Sequence, residues 1–152
     1  MRSMRDVAPL LVALTLAACG DGELPLEPVT GDDLLLLTQS EDLVWFPLVQ
    51  YRGSVVVDEA GCMRLDLEAP DNATIVWPSG TTVWMRGETR ILRNEFGREM
   101  LDIGERGRFS GGYAAALEEL TDLTSEERED VRDRCPGPYW LVTDGTVRRD
   151  PG

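Results

Sequence analysis

Turn residues recur at short intervals through the middle of this chain, and that spacing constrains the fold more than any other feature. Asp58-Glu59-Ala60-Gly61, Asp71-Asn72, Pro78-Ser79-Gly80 and Asn94-Glu95-Phe96-Gly97 are turn signals. Between and around them lie runs rich in β-branched and aromatic residues: Leu43 to Tyr51, Gly53 to Val57, Cys62 to Leu67, Thr74 to Trp77, Thr81 to Met85, Arg90 to Leu92 and Glu99 to Ile103. Runs this short predict strands and hairpins. Within Cys62 to Leu67 the two-residue period puts Met63, Leu65 and Leu67 on one face, which is expected to meet the core. Gly97 suits the positive φ of a hairpin tip, and Gly104, Gly107, Gly111 and Gly112 punctuate a bend around Phe109.

Helical character comes only after Gly112, first over Tyr113 to Leu120 and then over Thr124 to Arg134. Thr124 with Glu127 forms a capping box, Glu126 and Glu127 suit the positive end of a helix, and Arg132 and Arg134 suit the other. Cys135-Pro136 stops the second helix, and Tyr139 to Val142 reads as a closing strand. The expected fold is mainly β (α+β): a small barrel or rolled antiparallel sheet of about five or six short strands with a late helical segment. An oligonucleotide/oligosaccharide-binding-like (OB-like) barrel is the first choice, although such barrels usually carry their helix between the third and fourth strands. Gly61-Cys62-Met63-Arg64-Leu65 and Val76-Trp77-Pro78-Ser79-Gly80 resemble segments of small uncharacterised bacterial extracytoplasmic domains, a resemblance that implies no activity.

The N-terminus supplies a second constraint. Arg2 and Arg5 precede an apolar run from Val7 to Leu16, which is too short to cross a hydrocarbon core of about 30 Å and has the character of a secretory leader. It ends in Leu16-Ala17-Ala18-Cys19, which resembles the lipobox of bacterial lipoprotein signals: an aliphatic residue, two small residues, then cysteine. The resemblance covers only the leader. It implies that Cys19 receives a diacylglyceryl thioether and that the chain is cut before it, the new amine often being acylated in turn; several acyl chains make a durable anchor. The protein is then expected outside the cytoplasm, with the membrane as a partner through its lipid. Gly20 stands where many inner-membrane lipoproteins carry a retaining Asp, which favours the outer membrane where the cell has one. The expected organisation is a signal peptide over 1–18, a lipid-anchored acidic linker over 19–40 and one β-rich domain over 41–152. Within the linker, Gly20 to Asp33 is rich in Gly, Pro and acids, a composition expected to hold the domain tens of ångströms from the bilayer. Leu34 to Leu37 is an abrupt apolar run expected to pack on the domain.

If Cys19 is lipidated, Cys62 and Cys135 remain as an even pair in an oxidising compartment, which favours a disulfide between them. Two free buried thiols are the alternative; a metal site of two thiols without histidine is hard to complete.

The net charge is −13, and the leader contributes Arg2, Arg5 and Asp6, so the chain without its leader is one unit more negative. Nucleic acid is not an expected partner of so acidic a domain, because phosphate binding depends on neutralising cations. All 15 basic residues are Arg; they read either as forks for anion recognition or as base-composition bias. The chain has no His and no Lys, and no G-x-S-x-G, which argues against serine-type hydrolysis. Paired acids such as Asp58/Glu59 and Glu118/Glu119 leave a carboxylate-dependent, glycan-active enzyme as the alternative function. Gly31-Asp32-Asp33 and Asp144-Gly145-Thr146 supply oxygen ligands but lack the calcium-loop pattern, so no metal or other cofactor is expected. The favoured function is therefore a non-catalytic binding or interaction module at the cell envelope, with an envelope protein or a glycan as partner. Aromatics are its candidate contacts, and Trp77, Tyr139 and Trp140, next to prolines at element edges, are the ones expected at the surface.

Overall fold

In a computed structural model, the structure describes residues 26–29, 33–40, 49–66, 72–114, 117, 123–143 and 147–150. The leader, Cys19, Trp45, Leu67, Glu118/Glu119 and Asp144 to Thr146 lie outside the described residues.

The strands are β1 (Leu26–Pro28), β2 (Leu37–Thr38), β3 (Val49–Val57), β4 (Met63–Asp66), β5 (Ala73–Trp77), β6 (Thr82–Arg86), β7 (Thr89–Arg93), β8 (Glu99–Asp102), β9 (Arg106–Ala114), β10 (Tyr139–Val142) and β11 (Arg148–Arg149), with α1 (Ser125–Arg134) between β9 and β10. Five of them close a barrel in the order β3-β4-β5-β10-β9 and back to β3. Only the β5–β10 pair of that ring is parallel. Counted along the chain, the barrel strands run first, second, third, fifth, fourth, which is the order of an OB-like barrel. The expected small barrel with a late helix is what forms.

The two-residue period sorts each barrel strand. Val55, Met63, Leu65, Ala73, Ile75, Trp77, Phe109, Trp140 and Val142 turn inward and fuse into one core. Between the third and fourth barrel strands, where such barrels usually hold a helix, this chain inserts the antiparallel meander β6-β7-β8. Its Val83, Leu92 and Leu101 join the barrel core, so the meander plugs the barrel in the helix's place. Ile103 and Gly104 fasten it: the Ile103 N–H donates to the Arg90 carbonyl and the Gly104 N–H to the Val55 carbonyl, both at 2.8 Å.

Several expectations change. The 19–40 segment is not all tether, because Leu26–Pro28 pairs with β6 and Leu37–Thr38 with β5. Gly53 does not break its strand; Val49–Val57 runs through it, and a Cβ there would meet the Asp66 carbonyl. Tyr113 and Ala114, expected in a helix, end β9. The hairpin at Asn94 to Gly97 forms as expected, with Gly97 at φ 72°.

Closure depends on one glycine. Gly111 lies beside β10, where a Cβ would overlap the Leu141 carbonyl and crowd the Trp140 indole nitrogen. Gly111→Ala is expected to cost about 4 kcal/mol, because a backbone overlap has no rotamer escape. Gly104→Ala, at φ 97° with open space around it, should cost only about 1–2 kcal/mol of backbone strain. Urea unfolding of the two variants, fitted with the wild-type slope, checks the ranking; equal losses would refute the closure argument.

Candidate interaction site

OB-like barrels customarily bind ligands on the outer face of their second and third strands, flanked by the loops after the first and fourth. Here that face is filled by the chain itself. Val76 on the outer side of β5 joins Leu37, Leu117, Val131, Tyr139 and Leu141 in a second buried cluster beneath α1. The helix is well capped: the Thr124 N–H donates to Glu127 Oε2 at 2.7 Å and the Glu127 N–H to Thr124 Oγ1 at 3.3 Å. Val131 is its buried residue, however, and a ten-residue helix has little stability of its own. Covalent and polar ties hold it down.

The covalent tie is the Cys62–Cys135 disulfide, with Cα atoms 5.6 Å apart, joining the start of β4 to the C-cap of α1. The expected pairing is therefore present. Arg64 supplies the polar tie from the outer side of β4. Its Nε donates to Asp58 Oδ2 at 2.9 Å, and its Nη1 to Thr74 Oγ1 at 2.6 Å and to the Pro136 carbonyl at 2.8 Å. Arg134 adds a bond from Nε to the Ala60 carbonyl at 2.7 Å. Burial pushes the Asp58 carboxyl up, but the Cys62 N–H, the Arg64 guanidinium and the Ala60 N–H outweigh it and hold the group below its ordinary value.

Trp77, Tyr139 and Trp140 do not form a surface site. Trp77 is 0% and Trp140 1% exposed, both inside the barrel, while Tyr139 is 9% exposed under α1 with its hydroxyl donating to the Cys135 carbonyl at 3.2 Å. Burial raises the Tyr139 phenol above its ordinary value, against the opposing charges of Arg132 and Arg64. A neighbouring proline marks where the chain turns; the direction of a side chain is set by strand phase. Trp77 shares the phase of Ala73 and Ile75, and Trp140 that of Val142.

Among the described residues the half-exposed indole is Trp84, on the face of the meander turned away from the barrel. Val83 and Leu92 point inward, so Thr82, Trp84 and Arg86 point out, opposite Arg93, Ile91 and Thr89. The Arg93 guanidinium lies 5.3 Å from the Trp84 ring centre, a cation–π stack. The Trp84 indole donates to Thr82 Oγ1 at 3.1 Å, which fixes the ring, and the Arg86–Glu99 ion pair flanks it. Ile91, fully buried, lies opposite Trp84. This is a cationic-and-aromatic platform, chemically suited to stack a sugar ring or a peptide side chain. The signal lies in the sequence, since Trp84 stands out of phase with Val83 in a strand whose other face feeds the core.

A cleft of about 670 Å³ opens between the end of β3 and the β6–β7 hairpin. Val56, Val57, Met85 and Ile103 form its apolar wall, with Thr89 and Arg90 at the rim. Among the described residues no group of three His, Cys, Asp or Glu side chains is placed to hold a metal, and no helix is long and apolar enough to cross a membrane. Compared with known proteins, the chain matches no family model, no curated protein and no solved structure. Its chemistry is read from this geometry alone.

The clamp carries two measurable consequences. Replacing Cys62 and Cys135 together by Ser should cost about 4 kcal/mol, the loop-closure entropy of the 73-residue span, in urea unfolding. For Asp58, the folded pKa lies below the unfolded one, so the unfolded chain binds the proton first as pH falls. Its stabilisation is complete above the unfolded pKa, near 3.8, and is lost as pH falls through the folded value. Asp58→Asn should remove that part of the acid slope in a stability-against-pH series; an unchanged slope would refute the assignment.

Proposed function

We propose that this chain is an extracytoplasmic lipoprotein, held to a membrane through Cys19, and that its OB-like barrel is a non-catalytic interaction module for a protein or glycan of the cell envelope. The observation that carries the binding part is the Trp84–Arg93 platform. It lies on a solvent-facing sheet outside a barrel whose customary binding face is sealed by α1. A partner therefore meets the meander.

The compartment is supported by the Cys62–Cys135 bond, since disulfides persist where the environment is oxidising. The anchor is supported by the lipobox at Leu16 to Cys19. The net charge of −13 disfavours nucleic acid and selects a neutral or cationic partner surface, with the Arg93 and Arg86 guanidinium groups as local exceptions.

Tryptophan and arginine are the residue types on which interface energy concentrates. Trp84→Ala is expected to weaken partner binding by about 2 kcal/mol, roughly thirtyfold, while leaving the thermal unfolding of the barrel nearly unchanged. The partner is first captured by photo-crosslinking from Thr82 in intact envelopes, and affinity is then measured by calorimetry. A Trp84→Ala variant that binds as tightly as wild type would remove the platform from the proposal.

A further inference from the structure

The chain is taken into the fold much sooner after Cys19 than its composition suggests. Leu26 is already in β1, seven residues on, paired with Arg86 at the end of β6. Seven residues span at most about 25 Å, at roughly 3.3–3.6 Å each. A domain of this length is about 35 Å across. The tether is shorter than the domain, so the domain cannot roll over and present the side opposite Leu26 to the bilayer that holds the lipid.

The structure fixes which side that is. β1 enters antiparallel to β6, with Leu26 opposite Arg86 and Pro28 opposite Trp84, so the chain arrives at the Gly87–Glu88 tip of the β6–β7 hairpin. The 670 Å³ cleft opens beside this tip, between Val57 of β3 and Thr89 of β7. Its wall of Val56, Val57, Met85 and Ile103 is apolar, and Glu88 at the tip is exposed. The β7–β8 tip, with Phe96 72% exposed, lies at the other end of β7, about 17 Å of strand away.

From this geometry we infer that the β6–β7 hairpin end of the domain, with its adjoining apolar cleft, is a membrane-facing surface: its partner is the lipid surface that carries the Cys19 anchor. The inference rests on the proposal that Cys19 is lipidated, because only the anchor sets the distance. It assigns the cleft to the bilayer interface and leaves the β7–β8 tip turned away from the lipid. Charge does not supply the contact, since an acidic domain is repelled by anionic headgroups; the short tether imposes it, and the apolar wall is what the tether brings to the interface.

The test uses the full-length protein purified from membranes and reconstituted in phosphatidylethanolamine–phosphatidylglycerol vesicles that carry a headgroup nitroxide. A single thiol-reactive fluorophore is placed at Glu88→Cys, or at Phe96→Cys or Glu126→Cys as comparison positions, with circular dichroism confirming each fold. Several-fold stronger quenching at position 88 than at 96 or 126 is expected. A flexible Gly/Ser spacer as long as the domain, inserted between Pro25 and Leu26 ahead of the first strand, should abolish that difference. Equal quenching at all three positions, or a difference that survives the spacer, overturns the inference. Mass spectrometry of the N-terminal peptide from the same samples keeps the two ideas apart. A diacylated Cys19 with uniform quenching refutes the orientation alone, whereas an unmodified Cys19 refutes the lipoprotein proposal and this inference with it.

Discussion

Closure of the barrel by β10 is the constraint on which the rest of the molecule depends. Tyr139–Val142 is only four residues long, yet it pairs with β5 on one side and β9 on the other, and all four residues are buried. Two of them, Trp140 and Val142, face the interior core; Tyr139 and Leu141 face outward and would leave an apolar strip on the barrel wall. A strand buried on both faces needs a second layer. That is the physical reason for α1, and for a disulfide and an arginine fork holding a helix whose own apolar face is too small to hold it. Trp140 is also gripped edge-on by Tyr51 and Tyr113, at 4.8 and 4.9 Å between ring centres, an arrangement that adds about 0.5–1.5 kcal/mol per pair beyond burial.

The other end of the barrel is solved differently. A three-stranded meander can plug a barrel only if one of its faces is apolar, and Val83, Leu92 and Leu101 provide that face. Alternation then forces Thr82, Trp84, Arg86 and Arg93 outward. The surface platform is thus the reverse side of a packing requirement, built on paired strands and therefore rigid, with the Arg93–Trp84 contact and the Arg86–Glu99 pair on its outer face.

How much of this is legible in the residues depends on whether the signal is local. The hairpin at Asn94 to Gly97, the turn at Asp58 to Gly61 and the capping box of Thr124 and Glu127 are each closed by residues within a few positions of one another, and each is legible. The cysteine pairing is legible once a third thiol is set aside. Leu26–Pro28 is not, because a three-residue strand in a Gly/Pro-rich, acidic run has no period of its own; its pairing is a property of β6's free edge. Nor is the continuity of β3 through Gly53, where the demand for a missing Cβ comes from Asp66 on the next strand. For Trp77, Tyr139 and Trp140 the nearby prolines point to the surface, but strand phase and the covering by α1 decide their burial.

The arginines show the same division between local and non-local information. Arg64 engages Asp58, Thr74 and Pro136 at once, through Nε and one terminal nitrogen of a planar group, a task that a single ammonium at the end of a flexible stem is poorly shaped for. The Arg93 guanidinium lies over the Trp84 ring, 5.3 Å from its centre. At Arg64 the geometry favours arginine, whatever biased the composition toward it. The two sites also divide the labour of the molecule. Arg64 directs its donors inward, on a clamp that seals the face an OB-like barrel would ordinarily offer, and Arg93 shapes the face that remains. Because the clamp fastens a helix and the platform lies on a separate meander, the proposed recognition surface and the clamp are built from different residues, and a surface substitution on the meander is expected to leave the closure that β10 imposes intact.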